Sequence, residues 1–73
     1  MDDRIVVDPN ICSGKPTVRG TRIRVTNILG MVAGGHTIAG IIDAYPGLTT
    51  HDVTAALEYA SQVIEEAKVI PRA

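Results

Sequence analysis

The chain has 73 residues and a formal net charge of −1, with one cysteine and with two tyrosines as its only aromatic residues. This length allows a single domain over residues 1–73, which buries only about 60% of the surface that its unfolded chain exposes. The near-neutral charge argues against a uniformly basic nucleic-acid binder, and one cysteine excludes an internal disulfide or a zinc site made of several cysteines.

The apolar residues make up 45% of the chain, a high share for its size, and they include no Phe or Trp. A small core of aliphatic side chains is marginal by itself, so we expect part of the apolar surface to be buried in a homodimer or against another protein. A compact monomer is the alternative.

The first three residues, Met1-Asp2-Asp3, are acidic where a signal peptide is basic. No apolar run approaches the ~18 residues of a membrane span. We therefore expect a cytoplasmic protein that does not contact the membrane.

The first 25 residues are predicted to form a β-ribbon with its loops. The run Arg4–Asp8 is rich in β-formers and stops at Pro9, so it reads as the first strand. Residues 17–19 and 22–25 read as extended, and the second run alternates charged and apolar side chains with the period of a strand. Gly20 lies between these runs, where a positive φ would let the chain turn.

The first two helices are predicted from apolar spacing and capping residues. The first runs from Thr26, as its cap, to Val32 or Ala33, and Gly34-Gly35 ends it with one glycine in the left-handed position. Its apolar face is Val25, Ile28, Leu29 and Val32. The second runs from Thr37, its N-cap, to about Ala44 before Pro46, and its inner face is Ile38, Ile41, Ile42 and Tyr45.

The third helix is predicted to be the longest, from Thr50 to Glu66 or Lys68. Thr49 and Asp52 have the spacing of a capping box, and apolar residues keep helical spacing over four turns. The fold class is therefore α+β, with residues 26–68 as a three-helix bundle after the ribbon and 69–73 as a tail.

One long motif resembles a known family. The pattern G-K-P-x-x-x-G-T-R-I-x-V over residues 14–25 is similar to the bacterial family named domain of unknown function 433. The likeness runs from about residue 5 to 60 and includes Asp8-Pro9, Ile11-Cys12, Ala44-Tyr45-Pro46, Leu48-Thr49 and Ala56-Leu57-x-Tyr59-Ala60. It implies a homeodomain-like helix-turn-helix fold and the role of a VapB-type antitoxin beside a PIN-like toxin.

The helix-turn-helix implied by this resemblance places the start of helix three at the DNA major groove. The exposed candidates there are Thr50, His51, Thr54 and Ala55. None of these four is an Arg, Lys, Asn or Gln that makes bidentate base contacts, and Asp52 would repel phosphate. The alternative is a helical hairpin that serves only for packing.

The ribbon carries a denser positive charge, because Lys15, Arg19, Arg22 and Arg24 lie within ten residues. A ribbon with these side chains could contact nucleic-acid phosphates. Two alternatives stay open. The arginines could pair with partner carboxylates, such as those of a PIN-like metal site. They could instead form a solvated strand face that protects a sheet edge.

Catalytic motifs are not apparent. Gly14-Lys15-Pro16 is not a P-loop, since that pattern requires Gly at Pro9 and Ser or Thr at Pro16. Cys12, His36 and His51 have no carboxylate at a fixed spacing that would complete a nucleophilic site. We expect no enzyme activity, no cofactor and no metal.

The resemblance implies an antitoxin of a type II toxin–antitoxin pair. It would bind a PIN-like toxin and, as a dimer, operator DNA. The alternative is a dimeric protein-interaction module that does not bind DNA. The acidic surface of helix three favours the alternative, and residues 37–73 carry two basic against five acidic side chains, or −3. The basic ribbon favours the antitoxin, and residues 1–36 carry five basic against three acidic side chains, or +2.

Overall fold

The computed structural model describes residues 3–67, and in it two short strands precede three helices. The strands are β1 (Ile5–Val6) and β2 (Thr17–Val18), and the helices are α1 (Val25–Ala33), α2 (Ile38–Ala44) and α3 (Thr50–Glu66). A short 3₁₀ turn, Cys12–Gly14, lies in the loop between the strands. The predicted α+β class is confirmed, and Lys68 and the predicted tail lie outside the described residues.

The strands form an antiparallel ribbon in which Ile5 pairs with Val18 and Val6 with Thr17. A third extended arm continues it on the other side of β2, where Val18 N donates to the carbonyl oxygen of Ile23 (3.0 Å) and Thr17 bridges to Arg24. β2 is therefore central, and both of its residues are fully buried. The third arm is shorter than the predicted run 22–25, because α1 already begins at its last residue.

The turn between β2 and the third arm depends on Gly20, whose φ is +78°. Thr21 N donates to the carbonyl oxygen of Val18 (3.0 Å), and the Thr21 hydroxyl donates to the same oxygen (2.8 Å). That hydroxyl also accepts from Ile23 N (3.0 Å). The left-handed backbone predicted for Gly20 is thus confirmed, and the surrounding hydrogen bonds hold it in place.

α1 begins one residue earlier than predicted, and Thr26 does not cap it. Arg24 is the N-cap, without a side-chain hydrogen bond, and its carbonyl oxygen accepts from Asn27 N (3.0 Å). The ribbon decides this start, because Val25 N is already bonded to the carbonyl oxygen of Pro16 (2.9 Å). Thr26 is instead an exposed residue within the helix.

The end of α1 is a Schellman turn. Gly35 has a φ of +92°, its N donates to the Val32 carbonyl oxygen, and His36 N donates to the Met31 carbonyl oxygen, both at 3.0 Å. One glycine of the pair thus takes the predicted left-handed position. The predicted inward face is wrong at Val32, which is 41% exposed, whereas Met31 packs against the core. The position of α2 and α3 against α1, and not the apolar spacing alone, decides which of these side chains meets the core.

The caps of α2 and α3 are those predicted. The Thr37 hydroxyl accepts from Gly40 N (3.0 Å). The Thr49 hydroxyl accepts from Asp52 N (3.1 Å), and the Asp52 carboxylate accepts from Thr49 N (3.0 Å), which completes the capping box. On the predicted inner face of α2, Ile41 is buried and the other three residues are partly buried.

The core lies where the inner side of the ribbon meets all three helices, and its largest fully buried apolar side chains are Ile28, Ile41, Val18 and Val53. The apolar spacing of α3 continues beyond this core to Val63 and Ile64, which are 45% and 66% exposed. The last turns of α3 therefore carry apolar side chains at the surface. Within residues 3–67, no helix is both long and apolar enough to cross a bilayer.

Candidate nucleic-acid and partner interface

The register of the ribbon shows which side chains lie on each of its two sides. Residues that pair directly across antiparallel strands share a side, so Ile5, Val18 and Ile23 face the helices. Thr17 and its bridge partner Arg24 face the other way. Arg22 lies two residues before Arg24 in extended chain and is therefore on that second side as well.

Lys15 joins this second side from the other end of β2. Its backbone is extended (φ −77°, ψ 145°), and it lies two residues before Thr17. We call the side with Lys15, Arg22 and Arg24 the outer ribbon face. All three side chains are exposed, and the described residues place no carboxylate within ion-pair distance of them.

Arg19 is two residues after Thr17 and therefore on the same side of β2, but it lies at the end of the ribbon beside Gly20. Its Nε donates to the carbonyl oxygen of Asp3 (2.7 Å), and its backbone N donates to the carbonyl oxygen of Arg4 (2.7 Å). The side chain is exposed yet tied to the segment before β1. Arg19 therefore lies at the Gly20 end of that side, and its hydrogen-bonded guanidinium is less free to reorient than the side chains of Lys15, Arg22 and Arg24.

The start of α3, the second predicted site, presents few recognition groups. Thr50 and His51 are exposed, and Thr54 is half-buried with its hydroxyl donating to the His51 carbonyl oxygen (3.1 Å). Ala55 was predicted to be exposed but is 1% exposed, because that side of α3 packs into the core. The surface available to a base edge is thus smaller than the sequence suggested.

Asp52 does not face outward as predicted. It is 5% exposed, it forms the capping box, and its Oδ1 lies 3.4 Å from Nη1 of Arg4. Its charge is therefore compensated inside the fold and does not oppose phosphate at the surface. Local sequence patterns do not indicate this pair, because 48 residues separate its partners.

A second surface combines the start of α1 with the last turns of α3. It is an open groove of about 250 Å³, and its lining is almost entirely apolar. The groove lies on the helix side of the ribbon and is lined by Pro16, Val25, Leu29, Tyr59, Val63 and Ile64 among others. The expected apolar surface beyond the core thus includes the last turns of the long helix α3.

The histidines and cysteine do not assemble into a site. Nδ1 of His36 lies 3.0 Å from the Met31 carbonyl oxygen at the end of α1, while His51 is on the first turn of α3. Among the described residues, no three His, Cys, Asp or Glu side chains are grouped so that they could hold a metal ion.

Comparisons with known proteins agree with this fold. The model of the family described as "Protein of unknown function (DUF433)" matches residues 5–60. The chain is 36% identical over 56 residues to "Uncharacterized protein y4eO" of Sinorhizobium fredii (strain NBRC 101917 / NGR234), which covers 77% of this chain and 25% of y4eO. It also resembles the crystal structure of a DUF433 member from Anabaena variabilis ATCC 29413, with a TM-score of 0.79 and 33% identity.

The structural match covers 86% of this chain and 62% of the Anabaena chain. The chain thus spans about a quarter of one relative and less than two thirds of the other. The family match covers both strands, α1, α2 and most of α3, so it includes the outer ribbon face and the start of α3.

Proposed function

The chain belongs to the DUF433 family, and we propose that it is the cytoplasmic antitoxin of a type II toxin–antitoxin pair. In this proposal it binds a PIN-like nuclease and, as a homodimer, operator DNA. The observation that carries the proposal is the outer ribbon face, on which Lys15, Arg22 and Arg24 are exposed together on backbone that the ribbon holds in place.

The chemistry of the outer ribbon face suits a cluster of carboxylates. A guanidinium is planar and always charged, and it binds a carboxylate through two parallel hydrogen bonds. A metal-dependent nuclease gathers several carboxylates in one cleft, so an arginine that enters the cleft finds partners for all its donors. Arg22 and Arg24 project from the same side of the third arm, which lets both engage one such cleft.

The same cations suit DNA phosphates. Each phosphate that they neutralise releases counterions, which gives affinity without sequence preference. The start of α3 would add little sequence reading, since Thr50 and His51 are its exposed side chains and neither makes the strong bidentate base contacts. In this proposal, affinity for the operator therefore comes mainly from the ribbon.

The alternative function is a dimeric protein-interaction module that does not bind DNA. The exposed Val63 and Ile64 at the end of α3 favour it, because they extend an apolar stripe beyond the core of a small chain. Both functions require association of two copies. Binding to upstream DNA separates them.

The test begins with the neighbouring reading frame, which should encode a small PIN-like chain rich in carboxylates. The two proteins are co-expressed, and RNA cleavage by the nuclease is measured with Mg²⁺ at increasing amounts of this protein. We expect a stable complex and stoichiometric inhibition. Replacing both Arg22 and Arg24 with Ala should weaken the complex on the order of tenfold or more, because it leaves carboxylates in the cleft unpaired.

Arg19→Ala is the control and is compared with Arg22→Ala as well, since it also removes one exposed arginine, but one whose guanidinium is held by the Asp3 carbonyl oxygen at the end of the ribbon. We expect it to change inhibition much less than the double arginine variant does. If a PIN-like neighbour is present and this protein neither binds nor inhibits it, the antitoxin proposal is refuted. Equal effects of the control and the double variant would instead refute the role assigned to the outer ribbon face.

A further inference from the structure

The loop between β1 and β2 is a series of hydrogen-bonded turns. Ile11 N donates to the Asp8 carbonyl oxygen (2.9 Å), and Gly14 N donates to the Ile11 carbonyl oxygen (3.0 Å). Lys15 N then donates to the carbonyl oxygen of Cys12 (3.2 Å). Three backbone amides of the loop are therefore bonded within it, and the last of them belongs to Lys15, a residue of the outer ribbon face.

The 3₁₀ turn in this loop has an uncommon backbone. Cys12, Ser13 and Gly14 all have positive φ, at 50°, 58° and 81°. Glycine adopts this region readily, whereas Cys and Ser are strained in it. Strained residues persist only where the surrounding structure determines them strongly, and they concentrate at functional sites.

The same turn reaches the third arm of the ribbon. Sγ of Cys12 donates to the carbonyl oxygen of Arg22 at 3.4 Å. The third arm lies on the far side of β2 from β1, so the loop crosses β2 to make this contact. Because helices fill the inner side of the ribbon, the crossing is on the outer side, where Thr17 is fully buried.

One strained turn is thus bonded to backbone atoms of two of the three outer-face cations, Lys15 through its amide and Arg22 through its carbonyl. We propose that the turn Cys12–Gly14 is a positioning element that fixes the spacing of Lys15 and Arg22 for an acidic partner. This rests on the proposed function, because it assigns the turn a role in the nuclease complex.

The first test compares two substitutions of Cys12. Ala removes the donor to the Arg22 carbonyl oxygen, whereas Ser keeps a donor of similar size. Amide hydrogen exchange at Lys15 is measured by NMR on the free full-length chain, together with the Kd for the co-expressed nuclease. We expect Cys12→Ala to speed exchange at Lys15 by about tenfold and to raise the Kd, while exchange at buried Ile28 and Val53 stays unchanged. Cys12→Ser should restore both values toward wild type.

The second test changes the strain at Ser13. Glycine fits φ +58° without strain, so Ser13→Gly should keep the wild-type Kd and melt at a higher temperature. Ser13→Val places a β-branched side chain in the left-handed region, so it should raise the Kd and speed exchange at Lys15. A merely structural turn would lower the melting temperature in Ser13→Val without changing the Kd of the folded fraction.

The outcomes separate this inference from the function on which it rests. If the nuclease binds wild type and all four variants with one Kd, the positioning role is wrong while the antitoxin proposal stands. If wild type fails to bind the nuclease, the antitoxin proposal fails, and exchange at Lys15 still reports whether the turn fixes the ribbon. Unchanged exchange in both Cys12→Ala and Ser13→Val would overturn the inference in either case.

Discussion

Gly20 offers the sharpest test of how backbone conformation shapes this fold. Its φ is +78°, and a Cβ built on it would meet no atom within 4 Å. A side chain at this position therefore encounters no steric obstacle from neighbouring residues. Any loss of stability on substitution must come from the left-handed backbone itself.

The size of that loss follows from the cost of the left-handed region. An L-residue there costs roughly 1–2 kcal/mol, and a β-branched residue reaches the upper part of a 1–3 kcal/mol range. We expect Gly20→Val to lower the free energy of unfolding by about 2–3 kcal/mol and Gly20→Ala by about 1 kcal/mol. Asn tolerates positive φ, so Gly20→Asn should lie closer to wild type.

Gly30 provides a matched control, since it lies within α1 and a Cβ there would also meet nothing within 4 Å. Its backbone is helical, so Gly30→Ala should raise stability by up to about 1 kcal/mol. Thermal unfolding followed by circular dichroism, at one fixed protein concentration, should show shifts of roughly 4–8 °C per kcal/mol in opposite directions. Equal shifts for Gly20→Ala and Gly30→Ala would refute the assignment of strain to the turn.

Three further outcomes are expected. Asp52→Ala removes the capping box and a partner of the Arg4 guanidinium, so urea unfolding should show a free energy of unfolding lower by about 1–3 kcal/mol. Replacing the exposed Asp43 with Ala should change that free energy by no more than about 0.5 kcal/mol, and similar losses in the two variants would contradict the buried role of Asp52. In a salt titration of binding to upstream DNA, the variant with both Arg22 and Arg24 replaced by Ala should flatten the slope of log K against log salt concentration by about one unit per lost phosphate contact. A variant with His51→Ala and Thr54→Ala should keep the wild-type slope, and the reverse result would place the affinity in α3. Sedimentation at micromolar concentration should show at least a dimer, and a folded monomer of 7.7 kDa would contradict the expected association.

The features that the sequence predicted well are local ones. The capping box of α3, the cap of α2, the glycine at the end of α1 and the left-handed turn at Gly20 each depend on groups within five residues of one another. Such groups meet whenever the local backbone forms, so residue type and spacing suffice to identify them. The alternation of Arg22 and Arg24 with Ile23 and Val25 is local in the same way.

The features that the sequence missed depend on distant contacts. α1 starts at Val25 because the carbonyl oxygen of Pro16 holds its amide, and no residue near the helix start signals this. Arg19 differs from the cations of the outer ribbon face because its side chain bonds to backbone before β1. The left-handed turn at Cys12 contains two residues that usually avoid positive φ, so its composition gave no indication of the strain.

α3 shows in one helix both what the sequence predicts and what it does not. Its ends, its cap and its apolar stripe follow from the sequence, because helical periodicity and capping are properties of the helix alone. The burial of Ala55 and Asp52 and the exposure of Ile64 do not follow, since they depend on where β1, α1 and α2 lie against the helix. Sequence determined which side chains share a face, and tertiary packing decided which part of that face became core and which became surface.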